Sequence, residues 1–277
     1  RDYYASRGLG DVYKRQSIYN ALRSSQSSSP YYNKSTDAYC YIGTEKPNHD
    51  VVIVGWDDSY SKDNFNTDLE GDGAFICQNS WGDNFGENGF FYISYYDTNI
   101  GTHNVVYTDI ENTDNYDHIY QSDLCGWVGQ LGYNKDSIYG ANVFTAEGNE
   151  TLKAASFYAT GKDSQYELYV VRQFEDETSL EKMIPVASGK LGNAGYYTVD
   201  FNQGIEVDAG ERYAVVLYII TPGSVHPMAI EYAADEATEN VDLDDGESYI
   251  SANGSKWVSV DTVEKSNLCI KAFSDNR

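Results

Sequence analysis

From about Tyr120 to Phe273 the chain repeats one pattern: short runs of alternating side chains separated by turn residues. Tyr166, Leu168 and Val170 alternate with Glu167 and Tyr169, and Tyr197, Val199 and Phe201 alternate with Thr198 and Asp200. A period of two puts one set of side chains on a buried face and the other outside, the mark of a half-buried strand. Tyr213 to Ile220 is a longer, more apolar run and reads as a more deeply buried strand. Tyr249-Ile250-Ser251 and Lys256-Trp257-Val258 flank Asn253-Gly254, a strong hairpin signal, and Leu268 to Phe273 supplies a closing strand. No long run with a helical period interrupts the series, so this part predicts an antiparallel β-sandwich. The 26 tyrosines against 2 methionines agree, since tyrosine packs well on a pleated, half-buried surface.

The chain has 277 residues, enough for about two domains. Its 19 basic and 43 acidic residues leave a net charge of −24, which argues against nucleic-acid binding, where phosphates need basic footprints. The longest apolar run, Ala214 to Ile220, is far shorter than the roughly 20 residues a membrane helix needs. Cys40, Cys77, Cys125 and Cys269 are widely spaced without a CxxC pair, so neither a zinc site nor any other metal or cofactor is implied. Residues 1–16, RDYYASRGLGDVYKRQ, lack a signal-peptide apolar stretch, resemble translated adapter sequence and read as a non-native leader.

The first half carries a different signal. Ser17-Ile18-Tyr19 has the composition of a short strand, and Ser24 to Ser35 that of a loop. Val51 to Trp56 is a continuous, β-branched apolar run, consistent with a strand buried on both faces. Asp57 to Gly73 is acidic and polar without the calcium-loop spacing, and reads as a solvated connection. Ala74 to Asn79 and Phe90 to Tyr96 are further strands joined through a tight Ser80-Trp81-Gly82, Gly86 and Gly89 connection, giving a small antiparallel sheet. From about Asn99 to Tyr120 periodicity is lost, which places an interdomain linker at 101–115, with His103 and His118 read as surface residues of the polar stretch.

The chemistry-bearing residues lie around that small sheet. His49 precedes one strand and Asn79 ends its expected partner. Paired strands run about 5 Å apart, so the two side chains come within reach. A histidine that acts as a base needs one tautomer and one ring orientation, and a neutral amide acceptor supplies both. Trp81 is placed to cover the contact and exclude water.

The run NHDVVIVGW…GAFICQNSWGDNFGENGFFYISY closely resembles the C-terminal, β-rich half of papain-family cysteine peptidases, over roughly Ile18 to Tyr96. That resemblance implies His49 as the catalytic histidine, Asn79 as its orienting partner and Trp81 as the shield of the pair. Two positions depart from the family pattern: Asp50 follows the histidine, and Phe85 stands where a tryptophan is usual. The family's nucleophilic cysteine sits at a helix start in the other half of the domain, and none of YCY, ICQ, LCG or LCI here offers that context. Cys77, two residues before Asn79, reads as a buried structural thiol.

From about Tyr116 onward, NYDHIYQSDLCGW, AGYYTVDFNQGIEVDAGERYAVVL and SYISANGSKWVSV resemble the lectin-like β-domain that follows papain-type peptidase domains in some bacterial secreted or surface proteins. The resemblance implies carbohydrate binding, with Trp127 and Trp257 as stacking candidates, although the simpler reading of both is as core or rim residues and no sugar-binding constellation stands in the sequence. The fold expected is therefore mainly β: the β-rich right half of a papain-like α+β fold over 17–100, then an antiparallel β-sandwich over 116–277. The expected function is that of a fragment of a secreted or cell-surface cysteine-type endopeptidase, carrying His49 and Asn79 without the nucleophile and inactive alone. The alternative is a non-catalytic carbohydrate-binding or adhesion protein with a degenerate peptidase half. A peptide or protein substrate, a surface carbohydrate and no nucleic acid are the partners these readings imply.

Overall fold

The computed structural model describes residues 30–45, 47, 49–101, 111–235, 238–244, 246–260 and 265–277. Residues 1–16, Ser17–Tyr19 and His103 lie outside these. The chain divides into two compact units, 1–111 and 112–277, and the described part is built almost wholly of strands and turns.

The first unit holds β1 (Tyr32–Asn33), β2 (Ala38–Tyr39), β3 (Val52–Asp57), β4 (Ala74–Gln78) and β5 (Phe90–Ser94), in the sheet order β1-β2-β5-β4-β3. β3, β4 and β5 pair antiparallel, as their alternation predicts, but β2 joins β5 in parallel, so the sheet is mixed. A two-residue strand has no period to read, which is why β1 and β2 escape the sequence pattern.

Two expectations fail here. The Val51–Trp56 run is not buried on both faces: Val54 is 51% and Trp56 69% exposed. β3 lies at the sheet edge among the described residues, and a bulge between Ile53 and Gly55 turns its far half outward. The acidic 57–73 connection is not simply solvated. Phe65 and Leu69 are buried with Ala38, Cys40 and Ala74. A short 3₁₀ turn, Lys62–Asn64, capped by Ser61, presents the Asn64 carbonyl to Asn33 and Thr36.

The second unit holds β6 (His118–Tyr120), β7 (Gly129–Leu131), β8 (Ser137–Thr145), β9 (Glu150–Ala159), β10 (Ser164–Val171), β11 (Ile184–Leu191) and β12 (Gly195–Val207). These are followed by β13 (Arg212–Ile220), β14 (Met228–Glu231), β15 (Ser248–Ser251), β16 (Val258–Ser259), β17 (Asn267–Leu268) and β18 (Ile270–Asn276). They form a six-stranded sheet β11-β10-β13-β8-β15-β16, a four-stranded sheet β12-β9-β18-β6 and a three-stranded sheet β17-β14-β7, every pairing antiparallel.

The alternation decides which side each residue fills. Tyr213, Val215, Leu217 and Ile219 of β13 pack with Leu168, Leu152, Phe157, Ile270 and Phe201 in the main core. Ala214 and Val216, on the other face, join Val143, Val171, Phe174 and Leu180 in a second cluster. β13 is thus apolar from Tyr213 onward because both its faces are covered over most of its length, and each large side chain buried there contributes about 1.5–3 kcal/mol.

The Asn253-Gly254 hairpin forms with a wider loop than a two-residue turn. Ile250 pairs with Val258 and Tyr249 with Ser259, leaving residues 252–257 between the two strands. Ser251 Oγ accepts from the Asn253 and Gly254 amides, Asn253 Oδ1 accepts from those of Ser255 and Lys256, and only Gly254 of the pair takes a positive φ, +75°. His118 also departs from expectation: it opens β6 rather than lying in a polar linker stretch, because Ile119 and Tyr120 pair with Phe273 and Ala272.

Buried polar groups tie the sheets together. Asn142 of β8, fully enclosed, donates to the Leu268 and Ile270 carbonyls at 2.9 and 2.8 Å and accepts from Ser248 Oγ. Glu150, fully buried, accepts from Tyr120, Ser274 and the Gly148 amide. Burial alone would raise its carboxyl, yet the hydrogen bonds from Ser274, Tyr120 and Gly148 outweigh it and hold the group below its usual range. His118, bonded to Asn276 Oδ1 and facing Glu150 and Glu147, is pushed up.

Asn142→Ala leaves two strand carbonyls without their donor and should cost about 1–3 kcal/mol in urea unfolding. The Glu150 contribution is present above its unfolded value, about 4.3, and is lost as pH falls through the lower folded value. The His118 contribution is present below about 6.5 and is lost as pH rises through the raised folded value. Together they contribute most between those limits, and Glu150→Gln should flatten the acid side of stability measured by denaturation across a pH series.

Candidate active site

The register of β3 and β4 brings the chemistry together. Val52 lies opposite Gln78, so the chain just before β3 runs beside the residue just after β4. His49 Nε2 meets Asn79 Oδ1 at 2.8 Å. Asn79 is 6% exposed and its backbone amide is anchored to the Gly89 carbonyl. Its Oδ1 also accepts the Ser80 amide at 2.8 Å. The Ser80 N–H donating to this atom identifies it as the amide oxygen, since the NH₂ group would repel that N–H. Oxygen can only accept, so Nε2 carries the proton, and in the neutral ring Nδ1 keeps a lone pair turned away from Asn79.

Trp81 stacks on the His49 ring, with centroids 4.8 Å apart and planes at 26°. Phe85 meets Trp81 edge-on at 5.2 Å, packs on Phe91 at 5.4 Å and stacks with Tyr32 at 5.7 Å. Phe91 is fully buried beside Tyr39, Cys77 and Ile93. A continuous aromatic path thus runs from the core to the histidine, and Phe85, read from sequence only as a departure, is its middle link. Such pairs each add about 0.5–1.5 kcal/mol beyond area burial. The loop can carry this path because Gly86, at φ +56°, lies so close to the Phe90 carbonyl that a Cβ would fall 2.1 Å from that oxygen. Tyr32, the remaining support of Phe85, sits in a Ser- and Tyr-rich stretch that no periodic signal singles out.

The cysteines stand apart from this arrangement in character. Cys77 is fully buried in the aromatic core, and Cys40 is fully buried with Phe65 and Leu69. Burial, then Glu231, pushes the Cys125 thiol up, and burial, then Asp123, pushes Cys269 up, the reverse of what makes a thiolate nucleophile. In the second unit Trp127 is 37% exposed and tilts against Tyr158 at 5.8 Å, whereas Trp257 packs on the second cluster, edge-on to Tyr139, with its indole nitrogen buried. Among the described residues no cluster of three or more His, Cys, Asp or Glu side chains is arranged to hold a metal ion, and no helix is long and apolar enough to cross a membrane.

A histidine hydrogen-bonded to an asparagine under a tryptophan, on a glycine-shaped loop, is the arrangement expected of a thiol-peptidase half-domain, and a β-sandwich follows it in the chain. The papain family cysteine protease model matches residues 6–110 and the lectin like domain model residues 119–274. The chain belongs to the lectin-like domain family, with a papain-family cysteine peptidase portion ahead of that domain.

Among solved structures, the clostridial cysteine protease Cwp84 after propeptide cleavage is similar, at 28% identity and a TM-score of 0.78, covering 97% of this chain and 65% of that one. The cysteine protease and lectin-like domains of Cwp84, a surface layer associated protein of Clostridium difficile, align at 26% identity and a TM-score of 0.74, covering 97% of this chain and 58% of that one. The chain thus spans less than two thirds of either neighbour. Comparison with curated protein sequences gave no match.

In nitrogen-detected NMR at a pH where the ring is neutral, His49 should show a protonated Nε2 and a bare Nδ1. Asn79→Ala should mix the two tautomers; an unchanged pattern in that variant would show that Asn79 does not fix the ring.

Proposed function

We propose that residues 17–100 carry the base side of a papain-type active site, and that 116–277 form a carbohydrate-binding domain joined to it through 101–115. The His49–Asn79 hydrogen bond of 2.8 Å beneath Trp81 carries this reading, because it leaves Nδ1 as the nitrogen available to a nucleophile. In the reaction, Nδ1 takes the proton of a cysteine thiol as the sulfur attacks a peptide carbonyl. The resulting imidazolium then protonates the leaving amine, and water attack on the thioester completes hydrolysis. Asn79 keeps the ring aimed through this cycle without adding a charge. Trp81 keeps water from competing for the His49–Asn79 bond.

The nucleophile is not one of this chain's cysteines. Cys40 and Cys77 are closed in apolar packing, and the surroundings of Cys125 and Cys269 oppose ionisation. The base side is therefore completed by a thiol-bearing helical half, and alone it does not perform acyl transfer. The surface-layer association of Cwp84 supports an extracellular or cell-surface setting for this chain and a protein substrate there.

The chain alone should neither hydrolyse peptide substrates nor take up a thiol-directed epoxide. Stoichiometric labelling of Cys77, with loss of a measured peptidase activity, would overturn the assignment of the nucleophile elsewhere.

A further inference from the structure

The six-stranded sheet turns one face to the main core. The other face is covered in part by the second cluster, and beyond that cover, at its β11–β10–β13 end, it stays open. A cleft of about 270 Å³ opens there, lined by Gln165, Glu167, Ser188, Lys190, Tyr218 and Ile220 among others. Strand register accounts for the grouping. Glu167 lies opposite both Ser188 on β11 and Tyr218 on β13, and Gln165 lies opposite Lys190 and Ile220. Glu167 and Gln165 alternate along β10 with Tyr166 and Leu168, which pack on the main core, so their side chains share the opposite face.

Tyr218 gives this cleft a flat wall. Tyr139, its neighbour on β8, stacks against it with centroids 4.2 Å apart and planes at 22°. Tyr139 backs one face of the Tyr218 ring, and Tyr218, unlike Tyr139, lines the cleft. The polar side is also organised. The Tyr169 hydroxyl donates to Glu167 Oε2 and steadies the carboxylate. Gln165 offers an amide, Ser188 a hydroxyl and Lys190 an ammonium, all exposed. An aromatic face beside closely spaced donors and acceptors matches a pyranose ring, which has an apolar C–H face and a rim of hydroxyls. The volume sits just below the range of about 300–1,000 Å³ usual for ligand pockets, so it suits a single ring. One carboxylate and one ammonium balance locally, and a chain of net charge −24 repels anionic sugars, which leaves neutral ones.

We propose that the cleft between Tyr218 and β11 is a saccharide subsite that takes a neutral pyranose stacked on Tyr218, with its hydroxyls bonded to Glu167, Gln165 and Lys190. The proposal rests on the reading that the lectin-like unit binds carbohydrate, and it places the contact away from the tryptophans that sequence singles out. Trp257 is committed to packing on the second cluster, and Trp127 tilts at 53° against Tyr158.

Saturation-transfer NMR on the full chain tests it with a panel of neutral trisaccharides: maltotriose, cellotriose, mannotriose and tri-N-acetylchitotriose. At least one should receive saturation at its ring protons. Tyr218→Ala should weaken that ligand about tenfold or more through loss of stacking. Gln165→Ala, an exposed change that leaves the unfolding midpoint in place, should weaken it severalfold and so guards against misfolding of the tyrosine variant. No transfer to any sugar of the panel overturns both the subsite and the carbohydrate reading. Binding that survives Tyr218→Ala and Gln165→Ala, or that is lost in Trp127→Ala with Tyr218→Ala unaffected, overturns the subsite alone.

Discussion

The antiparallel register of β3 on β4 is the constraint on which the candidate site depends. With Val52 opposite Gln78, the residues flanking the ladder converge, and His49 reaches Asn79 without any long-range fold contributing to their separation. A slip of one residue would turn every side chain of β3 to the other face and break that meeting. The register is held from the opposite side by β5, whose Phe91 faces Cys77 across the ladder and anchors the aromatic path to Trp81. Backbone pairing, aromatic support and histidine orientation are therefore one structure.

The second unit uses polar groups for a different purpose. Its apolar alternation would tolerate several ways of laying one sheet on another, since apolar contact is not directional. Asn142 and Glu150 are directional. Each is enclosed: Asn142 of β8 has partners on β15, β17 and β18, and Glu150 of β9 has partners on β6 and β18. Losing a partner exposes a buried polar group to an apolar surrounding, which is more costly than the bond was favourable. Specificity in this sandwich is carried by few residues, and bulk stability by the many apolar ones.

These two kinds of residue also differ in how far sequence discloses them. The strands 164–171 and 195–207 are readable because each is long enough to show a period, and 212–220 because its apolar run is unbroken from Tyr213 onward. The approach of His49 and Asn79 is readable because it needs only two neighbouring strands. The parallel β2–β5 pair is not, because two residues carry no period. Burial of Phe65 and Leu69 is hidden by the acidic residues around them, which set the average of the segment without setting the direction of each side chain. The six-residue hairpin loop is obscured by the Asn-Gly pair, whose usual two-residue turn gives way to side-chain bonds from Ser251 and Asn253. The main-core and second-cluster faces of β13 are distinguishable only once its two neighbours are known.

The exposed far half of β3 has a bearing on handling. Among the described residues β3 is a sheet edge, where backbone groups face outward, and Trp56 and Val54 add apolar area beside it. The bulge between Ile53 and Gly55 breaks the regular spacing of those groups, so an incoming strand finds only a short matching stretch. The high negative charge adds mutual repulsion between copies. The repulsion weakens in concentrated salt, where charge is screened and apolar contact strengthens, so there the bulge is the protection that remains.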